Sequence, residues 1–262
     1  METTLAKGLR MLEAVAASDG PRGVSDLGRE LGITRSNAHR LLQTLCALGY
    51  VRHNPAHGHY ESTLRLFELG AGVARRLDVR TVAHPVMQAL ARQVDENVIL
   101  SVRDGHEVLV LDRVEGTRAL RTYTPLGTRS PMHSTSPGKL FLAFSSGDVV
   151  DAVALTKFSP QTIVSRPQLD AELARIRAQG YAVARAEWHE DVAGASAPIW
   201  RGDGAIVAAL TVSGPVVRFK PAQIRGHLPL LMAATDEISE KLGYRRSQTG
   251  PRSHNIRAFG AP

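Results

Sequence analysis

The spacing of hydrophobic residues at the start of the chain predicts three helices. Apolar positions recur at helical spacing over Thr4–Ala17, which predicts an amphipathic helix. Ser25 is the expected N-cap of a short second helix that ends at Gly32. Thr34 is the expected N-cap of a third helix, whose apolar stripe runs from Ala38 to Leu48.

A tight turn and a hairpin complete this first region. Gly32 can adopt a positive φ where two helices meet at a steep angle, and Ile33 can fill the crevice between them. Strands are expected at Tyr50–His53 and His59–Glu61, around a Pro/Gly turn at residues 54–58. The order helix, helix, turn, helix, hairpin is that of a winged helix-turn-helix, a DNA-binding fold.

The rest of the chain alternates between strand and helix patterns. Leu64–Arg76 is expected to be a helical linker, and Asp104-Gly105 a hairpin turn. Strands are expected at Asn97–Arg103, Glu107–Arg113, Arg118–Thr124, Tyr181–Glu187, Ala195–Trp200 and Ile206–Ser213, and helices at Thr81–Val94, Gly138–Phe144, Asp148–Ala154, Gln168–Gln179 and Pro221–Leu242. These patterns predict a second, α+β domain with a mainly antiparallel sheet.

Length and composition suit two folded domains. The chain has 262 residues, of which 43% are hydrophobic and 22% charged. We expect a winged helix-turn-helix at 1–63, a helical linker at 64–80, the second domain at 81–244 and a basic, disordered tail at 245–262. The formal net charge is +7, and the tail holds four arginines without an acidic residue. A basic end on a neutral globule is compatible with contact to a polyanion.

Several protein classes are excluded by simple features. The single cysteine, Cys46, excludes an internal disulfide and a multi-cysteine zinc site. The longest stretch without a charged residue, Gly204–Val217, is too short for a membrane-spanning helix. The first 20 residues carry acidic side chains along an amphipathic pattern, which is not typical of a secretory signal. We therefore expect a soluble, cytoplasmic protein without a membrane partner.

The third predicted helix offers polar side chains opposite its apolar stripe. Ser36, Arg40 and Gln43 lie there, where arginine and glutamine can make bidentate contacts with guanine and adenine edges. The flanking or supporting DNA contacts are expected from Arg35, Asn37, His39 and, on the wing, Arg52. A solvated helix is the alternative, but the turn, the polar stripe and the wing together favour DNA binding.

The sequence resembles the IclR family of bacterial transcriptional regulators over roughly Thr4–Tyr244. The segments that carry this resemblance are Gly8-Leu9-Arg10-Met11-Leu12-Glu13, residues 31–45, Gly49-Tyr50-Val51-Arg52, Leu111-Asp112-Arg113-Val114-Glu115-Gly116, residues 131–139 and Val212-Ser213-Gly214-Pro215. The resemblance implies a homodimer or a dimer of dimers that binds a palindromic, double-stranded operator. It also implies a GAF-like C-terminal domain that binds a small organic or aromatic acid, with a repressor favoured over an activator.

The family's effector-binding positions can be carried over to this chain. They correspond to Ala119, Thr122, Ser130, Ser136, Pro137, Gly138, Ala184, Gly194, Thr211 and Ser213. In many members an acidic residue stands at the position of Ala184, and a cysteine at that of Gly194. Both replacements are smaller and apolar, which favours a larger ligand such as an aromatic acid, or else a pocket that no longer binds one.

Other chemistry is weakly supported by the sequence. His53, His57 and His59 fit a solvated wing better than a metal site, so we predict neither a metal nor a cofactor. His133, Ser134 and Ser136 suggest a hydrolase, but the chain lacks a Gly-x-Ser-x-Gly elbow, so we do not expect an enzyme. The alternatives are an effector-independent regulator with a vestigial pocket and, less favoured, a small-molecule enzyme tethered to DNA.

Overall fold

The protein folds as two compact units that divide after residue 77. The computed structural model describes residues 3–74 and 78–244. The boundary falls inside the helical linker predicted at 64–80, and residues 75–77 of that linker lie outside the described residues. The tail predicted at 245–262 lies outside the described residues. Within the described ranges, no helix has the length and apolar character needed to cross a membrane.

The first unit combines helices with a small antiparallel sheet. Its helices are α1 (Thr3–Ala16), α2 (Val24–Glu30), α3 (Arg35–Ala47) and α4 (Arg65–Ala74), and its strands are β1 (Arg22–Gly23), β2 (Val51–Asn54) and β3 (His59–Ser62). The strand order is β1-β3-β2. Met11, Leu27, Leu42, Val51 and Tyr60 are among the residues that form its core. This is the predicted winged helix-turn-helix.

One local prediction in this unit was wrong, and one short strand was not predicted. Ser25 lies inside α2 and does not cap it, because the helix begins at Val24 and Gly23 occupies the N-cap position without a side-chain hydrogen bond. Strand β1 was missed because two residues are too few to show a periodicity, and it forms only by pairing with β3. The turn prediction was confirmed: Gly32 has a φ of +63°.

The second unit is built on a six-stranded antiparallel sheet in the order β6-β5-β4-β9-β8-β7. Its strands are β4 (Asn97–Asp104), β5 (Glu107–Val114), β6 (Arg129–Pro131), β7 (Ala182–Arg185), β8 (Val192–Trp200) and β9 (Ile206–Pro215). Its helices are α5 (Asp78–Val94), α6 (Ser136–Ala143), α7 (Gly147–Asp151), α8 (Arg166–Gln179) and α9 (Pro221–Lys241). Helices α5 and α9 cover one face of the sheet, and α6 and α8 pack on the other.

Strand alternation decides which side chains face α6. On β9, Leu210 and Val212 pack in the core beneath α5 and α9. Successive strand residues point to opposite faces, so Thr211 and Ser213 share the face that α6 covers. The i and i+2 spacing predicted that these two side chains point the same way. On β8, Ser196 hydrogen-bonds to α6 for the same reason.

The strand predicted over Arg118–Thr124 does not form. Side chains, not a neighbouring strand, donate to the carbonyl groups of this segment. The Asn97 amide donates to the Thr122 carbonyl, and Arg218 and Arg113 donate to those of Leu120 and Thr124 at 2.9 and 2.8 Å. The edge of the sheet is formed instead by β6, which pairs with β5 and was not predicted.

Candidate functional site

Helix α3 has one buried and one exposed side. The Thr34 hydroxyl accepts a hydrogen bond from the Asn37 backbone nitrogen at 3.3 Å, which confirms the predicted N-cap. Ala38, Leu42 and Leu45 are buried in the core. The exposed predicted contacts are Arg35, Ser36, His39, Arg40 and Gln43, whereas Asn37 is half-buried. A polar stripe opposite a buried one is what a helix needs to enter the major groove.

A cleft between α1 and α3 contains two residues that sequence reasoning missed. Thr4 and Lys7 of α1 line it together with Ser36 and Arg40 of α3. Lys7 therefore brings a second positive charge close to the predicted reading surface. In the sequence, Lys7 is only an exposed position of an amphipathic helix, a pattern that does not separate a DNA contact from a solvated face.

On the wing, Arg52 forms an ion pair. Its Nε lies 2.8 Å from a carboxylate oxygen of Glu61, its directly opposite partner on β3. The His53 ring packs against Tyr60 with centroids 4.6 Å apart. Within the part of the chain that the structure describes, no cluster of three His, Cys, Asp or Glu side chains is placed to hold a metal ion.

The second unit contains a pocket between the sheet and the start of α6. Strand residues that line it are Ile99, Ser101, Val108, Val110, Ser130, Ala184, Val192, Ala193, Gly194, Thr211 and Ser213. The start of α6 and the residues just before it contribute Ser134, Thr135, Ser136 and Pro137. The β5–β6 connection contributes Thr124, and the β7–β8 loop contributes Glu187, Trp188 and His189. The pocket thus combines apolar walls with many hydroxyl groups.

Most, but not all, of the predicted effector residues line this pocket. Ser130, Ser136, Pro137, Ala184, Gly194, Thr211 and Ser213 do so. Ala119 and Thr122 do not line the pocket. Their segment does not join the sheet, because side chains such as that of Asn97 bind its carbonyl groups, and Ala119 is exposed. Gly138 does not either: it packs so closely on the Met132 backbone that a Cβ atom would overlap it.

The start of α6 is the most polar part of the pocket. Thr135 caps the helix: its hydroxyl accepts from the Gly138 backbone nitrogen at 3.3 Å and donates to the Pro131 carbonyl at 2.8 Å. Ser134 is 1% exposed, and its buried hydroxyl has no hydrogen-bond partner among the described residues. An unpartnered buried donor in a residue that lines a pocket beside a helix N-terminus favours a bound anionic oxygen.

His133 is buried next to this segment, which disfavours its charged form. Its Nε2 lies 2.8 Å from the Thr156 carbonyl, so Nε2 carries the proton, while Nδ1 is buried without a partner. Burial lowers the pKa of His133, the Thr156 hydrogen bond opposes this shift, and the charge of Lys139 adds to it. The neutral ring does not supply a positive charge to the pocket.

A buried ion pair lies behind the β7–β8 loop. Lys139 Nζ is 2.6 and 2.8 Å from the two carboxylate oxygens of Glu187 and 3.2 Å from one of Glu172. Burial raises the pKa of Glu187, and the Lys139 charge opposes that shift. This pair joins the pocket wall to α6 and α8.

The backbone before Glu187 is held in an uncommon conformation. Ala186 has a φ of +59°, in the left-handed region that glycine favours. Ser159 donates to the Ala186 carbonyl at 2.6 Å, and Thr162 donates to the Glu187 carbonyl at 2.6 Å. These bonds fix the loop that carries Trp188 and His189, whose rings lie 4.1 Å apart. The sequence contained no signal for this arrangement.

These features define a class: a protein with a winged helix-turn-helix, the fold of DNA-binding domains, and a second domain that contains a pocket. Comparison with known families identifies it further. Residues 4–55 match the IclR helix-turn-helix domain, and residues 71–240 match the C-terminal domain of the bacterial transcriptional regulator IclR. The chain belongs to the IclR family of DNA-binding transcriptional regulators, as its sequence motifs predicted.

Curated relatives agree with this assignment over nearly their whole length. The regulator XynR of Escherichia coli is 29% identical over 245 residues, which cover 92% of this chain and 97% of the relative. The transcriptional repressor IclR of the same organism is 28% identical over 93% of this chain and 91% of its own. Both relatives are named as transcriptional regulators and not as enzymes.

Solved structures of similar proteins share the fold. The Thermotoga maritima IclR structure has a TM-score of 0.80 at 30% identity and covers 93% of this chain and 100% of its own. An IclR homologue from Microbacterium hydrocarbonoxydans, solved in complex with 4-hydroxybenzoate, has a TM-score of 0.79 at 28% identity, with coverage of 91% and 98%.

Proposed function

We propose that this protein is a cytoplasmic repressor that binds a palindromic operator and is controlled by a small organic or aromatic acid. The observation that carries the proposal is the polar start of α6, where the pocket-lining residue Ser134 has a buried hydroxyl without a hydrogen-bond partner among the described residues. Hydroxyl groups and backbone N–H groups at a helix start suit a carboxylate. Among the described residues, none that lines the pocket is a lysine or an arginine, so neutral donors would bind the carboxylate.

The remaining walls favour an aromatic ring. Ile99, Val108 and Val110 supply apolar surface, and the paired rings of Trp188 and His189 supply a flat one. Ala184 and Gly194 leave space that larger side chains would fill. The Microbacterium relative was solved with an aromatic acid, 4-hydroxybenzoate. An aromatic carboxylate would place its charge at α6 and its ring along these walls.

The operator would be read by the exposed stripe of α3. Arg40 and Gln43 would contact base edges, since their side chains can form bidentate hydrogen bonds with guanine and adenine. Ser36 would contact a base or a phosphate beside them. Arg35, Asn37, His39 and Arg52 would assist from the flanks of α3 and from the wing.

A homodimer or a dimer of dimers would present its α3 helices to the DNA in pairs. One helix-turn-helix reads one half-site, and two copies related by two-fold symmetry require a palindromic operator. Repression is the proposed mode because the Escherichia coli relative named above is a repressor.

The test is a thermal-shift screen of the full chain against organic and aromatic acids, followed by DNA binding with the protein's own upstream region. A ligand at a hundred times its Kd should stabilise the folded state by ~2.7 kcal/mol. A hit that also changes operator affinity supports the proposal.

Two results would contradict it in different ways. A panel that gives no shift while DNA binding persists would favour an effector-independent regulator with a vestigial pocket. Turnover of a ligand by the protein would favour a DNA-tethered enzyme instead.

A further inference from the structure

A chain of three hydroxyl groups crosses from the sheet to the start of α6. Ser196 Oγ lies 2.8 Å from Ser136 Oγ and 2.7 Å from Thr211 Oγ1. Ser196 is 0% exposed and is not among the residues that line the pocket, whereas Ser136 and Thr211 both line it. Ser196 therefore connects two pocket-lining residues through hydrogen bonds, although it does not line the pocket itself.

The direction of the hydrogen bonds in this chain follows from counting protons. Ser196 donates its single proton to Ser136. It therefore has none left for Thr211, so Thr211 donates to Ser196. The direction is Thr211 to Ser196 to Ser136, and the proton of Ser136 is left without an acceptor in the described residues.

The free proton of Ser136 has open space beside it. Gly194 lies next to the Ser136 hydroxyl, and a Cβ atom at position 194 would come within 3.3 Å of Ser136 Oγ. Because Gly194 has no Cβ, that space belongs to the pocket. Two other hydroxyl groups of the pocket already donate: Thr135 to the Pro131 carbonyl, and Ser213 to the Ala193 carbonyl at 3.3 Å.

We propose that Ser196 is a positioning residue that holds the Ser136 hydroxyl as a donor toward the effector and so selects a carboxylate over a neutral amide. Ser136 and Ser134 then present two donors beside the start of α6. A carboxylate offers two charged acceptor oxygens to them, whereas a carboxamide offers one neutral acceptor oxygen and therefore forms weaker hydrogen bonds. Successive hydrogen bonds in one direction also polarise one another, which strengthens the last donor. This inference rests on the proposed effector pocket.

The test compares two probes on the full-length protein, 4-hydroxybenzoate and 4-hydroxybenzamide, by titration calorimetry. Ser196→Ala should weaken binding of the acid by roughly five- to tenfold and leave the amide within about twofold. Thr211→Val, which removes the first donor of the chain, should lower the ratio of acid to amide affinity in the same direction.

A matched control separates positioning from general damage. Ser239 is equally buried and hydrogen-bonded, but it lies on α9, where it donates to the Thr235 carbonyl and accepts from the Trp200 backbone nitrogen. Ser239→Ala should lower the melting temperature yet keep the ratio of acid to amide affinity. Equal losses for both probes in Ser196→Ala would overturn the selectivity proposal.

A second measurement does not depend on the effector. In ligand-free protein, Ser196→Ala should destabilise the fold less when Ser136→Ala is already present, because the two hydroxyl groups act together. Additive losses would overturn the positioning role. If the wild type binds neither probe, 4-hydroxybenzoate is excluded as an effector, and the double-variant comparison still decides whether Ser196 and Ser136 are coupled.

Discussion

The Lys139 ammonium lies 2.6 Å from a carboxylate oxygen of Glu187, although the lysine side chain is only 1% exposed. Lys139 belongs to α6, one turn after the helix start that lines the pocket, and Glu187 lines the pocket from the β7–β8 loop. The ion pair therefore holds together two walls of the proposed effector site. A buried pair of this kind is costly to break, because the remaining charge is left without compensation.

Lys139→Met should lower the free energy of unfolding by about 3–5 kcal/mol, measured by denaturant titration. The matched control is Lys241→Met. The Lys241–Glu237 pair has the same 2.6 Å separation, but its side chains are 49% and 54% exposed, so its loss should cost below about 0.5 kcal/mol. If both variants lose similar amounts of unfolding free energy, burial does not explain the contribution of the Lys139–Glu187 pair.

Stability should depend on pH through His133. Burial lowers its pKa in the folded state, so below pH 6.5 the unfolded chain binds more protons than the folded one, and acidification destabilises the protein. His133→Gln keeps an N–H donor for the Thr156 carbonyl. It should reduce the slope of unfolding free energy between pH 5.5 and 6.5 by up to about 1.4 kcal/mol per pH unit.

His227 should contribute in the same direction, because burial also lowers its pKa. The slope should therefore fall again in the double variant with His227→Gln. The measurement is chemical denaturation at each pH. If the slope of unfolding free energy against pH is unchanged in both variants, neither histidine titrates on unfolding.

Arg40→Ala should weaken operator binding by about 1–3 kcal/mol and relax specificity at one base position. The reason is the position of Arg40 on the exposed stripe of α3, beside Ser36 in the cleft. Arg225→Ala is the charge-matched control, because Arg225 is an exposed residue of α9 in the other unit. Binding assays with operators altered at each base position distinguish the two variants. If both variants change affinity and specificity equally, Arg40 does not contact a base.

Glu61→Gln should strengthen DNA binding without changing its sequence preference. The Glu61 carboxylate holds Arg52 at 2.8 Å, so its neutral replacement releases the guanidinium for a phosphate and removes a negative charge from the wing. We expect about a two- to fivefold gain in affinity and a steeper dependence on salt, by about one unit of slope. The gain should vanish in the double variant with Arg52→Ala, and a gain that persists would exclude Arg52 as its source.

Gly194→Ala should narrow the proposed pocket while the fold is kept. Its new Cβ would lie 3.3 Å from both Ser136 Oγ and Thr211 Cγ2, a contact that small shifts can relieve. Binding of 4-hydroxybenzoate should weaken by about tenfold or more, whereas acetate should be affected less, because a smaller ligand leaves room for the methyl group. Equal weakening of both acids in competition titrations would contradict a size limit at this position.

The sequence by itself determined the elements whose signals are local. Thr34 caps α3 because its hydroxyl reaches a backbone nitrogen three residues away, and Gly32 permits the turn because it lacks a Cβ. Alternation along β9 placed Thr211 and Ser213 on one face. Each of these follows from neighbours within a few residues, so a single sequence contains the necessary information.

The tertiary structure alone decided the features that join distant segments. Arg118–Thr124 has a strand-like pattern but is not a strand, because side chains from remote positions, including Asn97 and Arg218, take its carbonyl groups. Ser196 meets Ser136 across 60 positions, and Lys139 meets Glu187 across 48. Such pairs form only when β8 and α6 are packed together, and no local periodicity encodes which polar side chains that packing will bury.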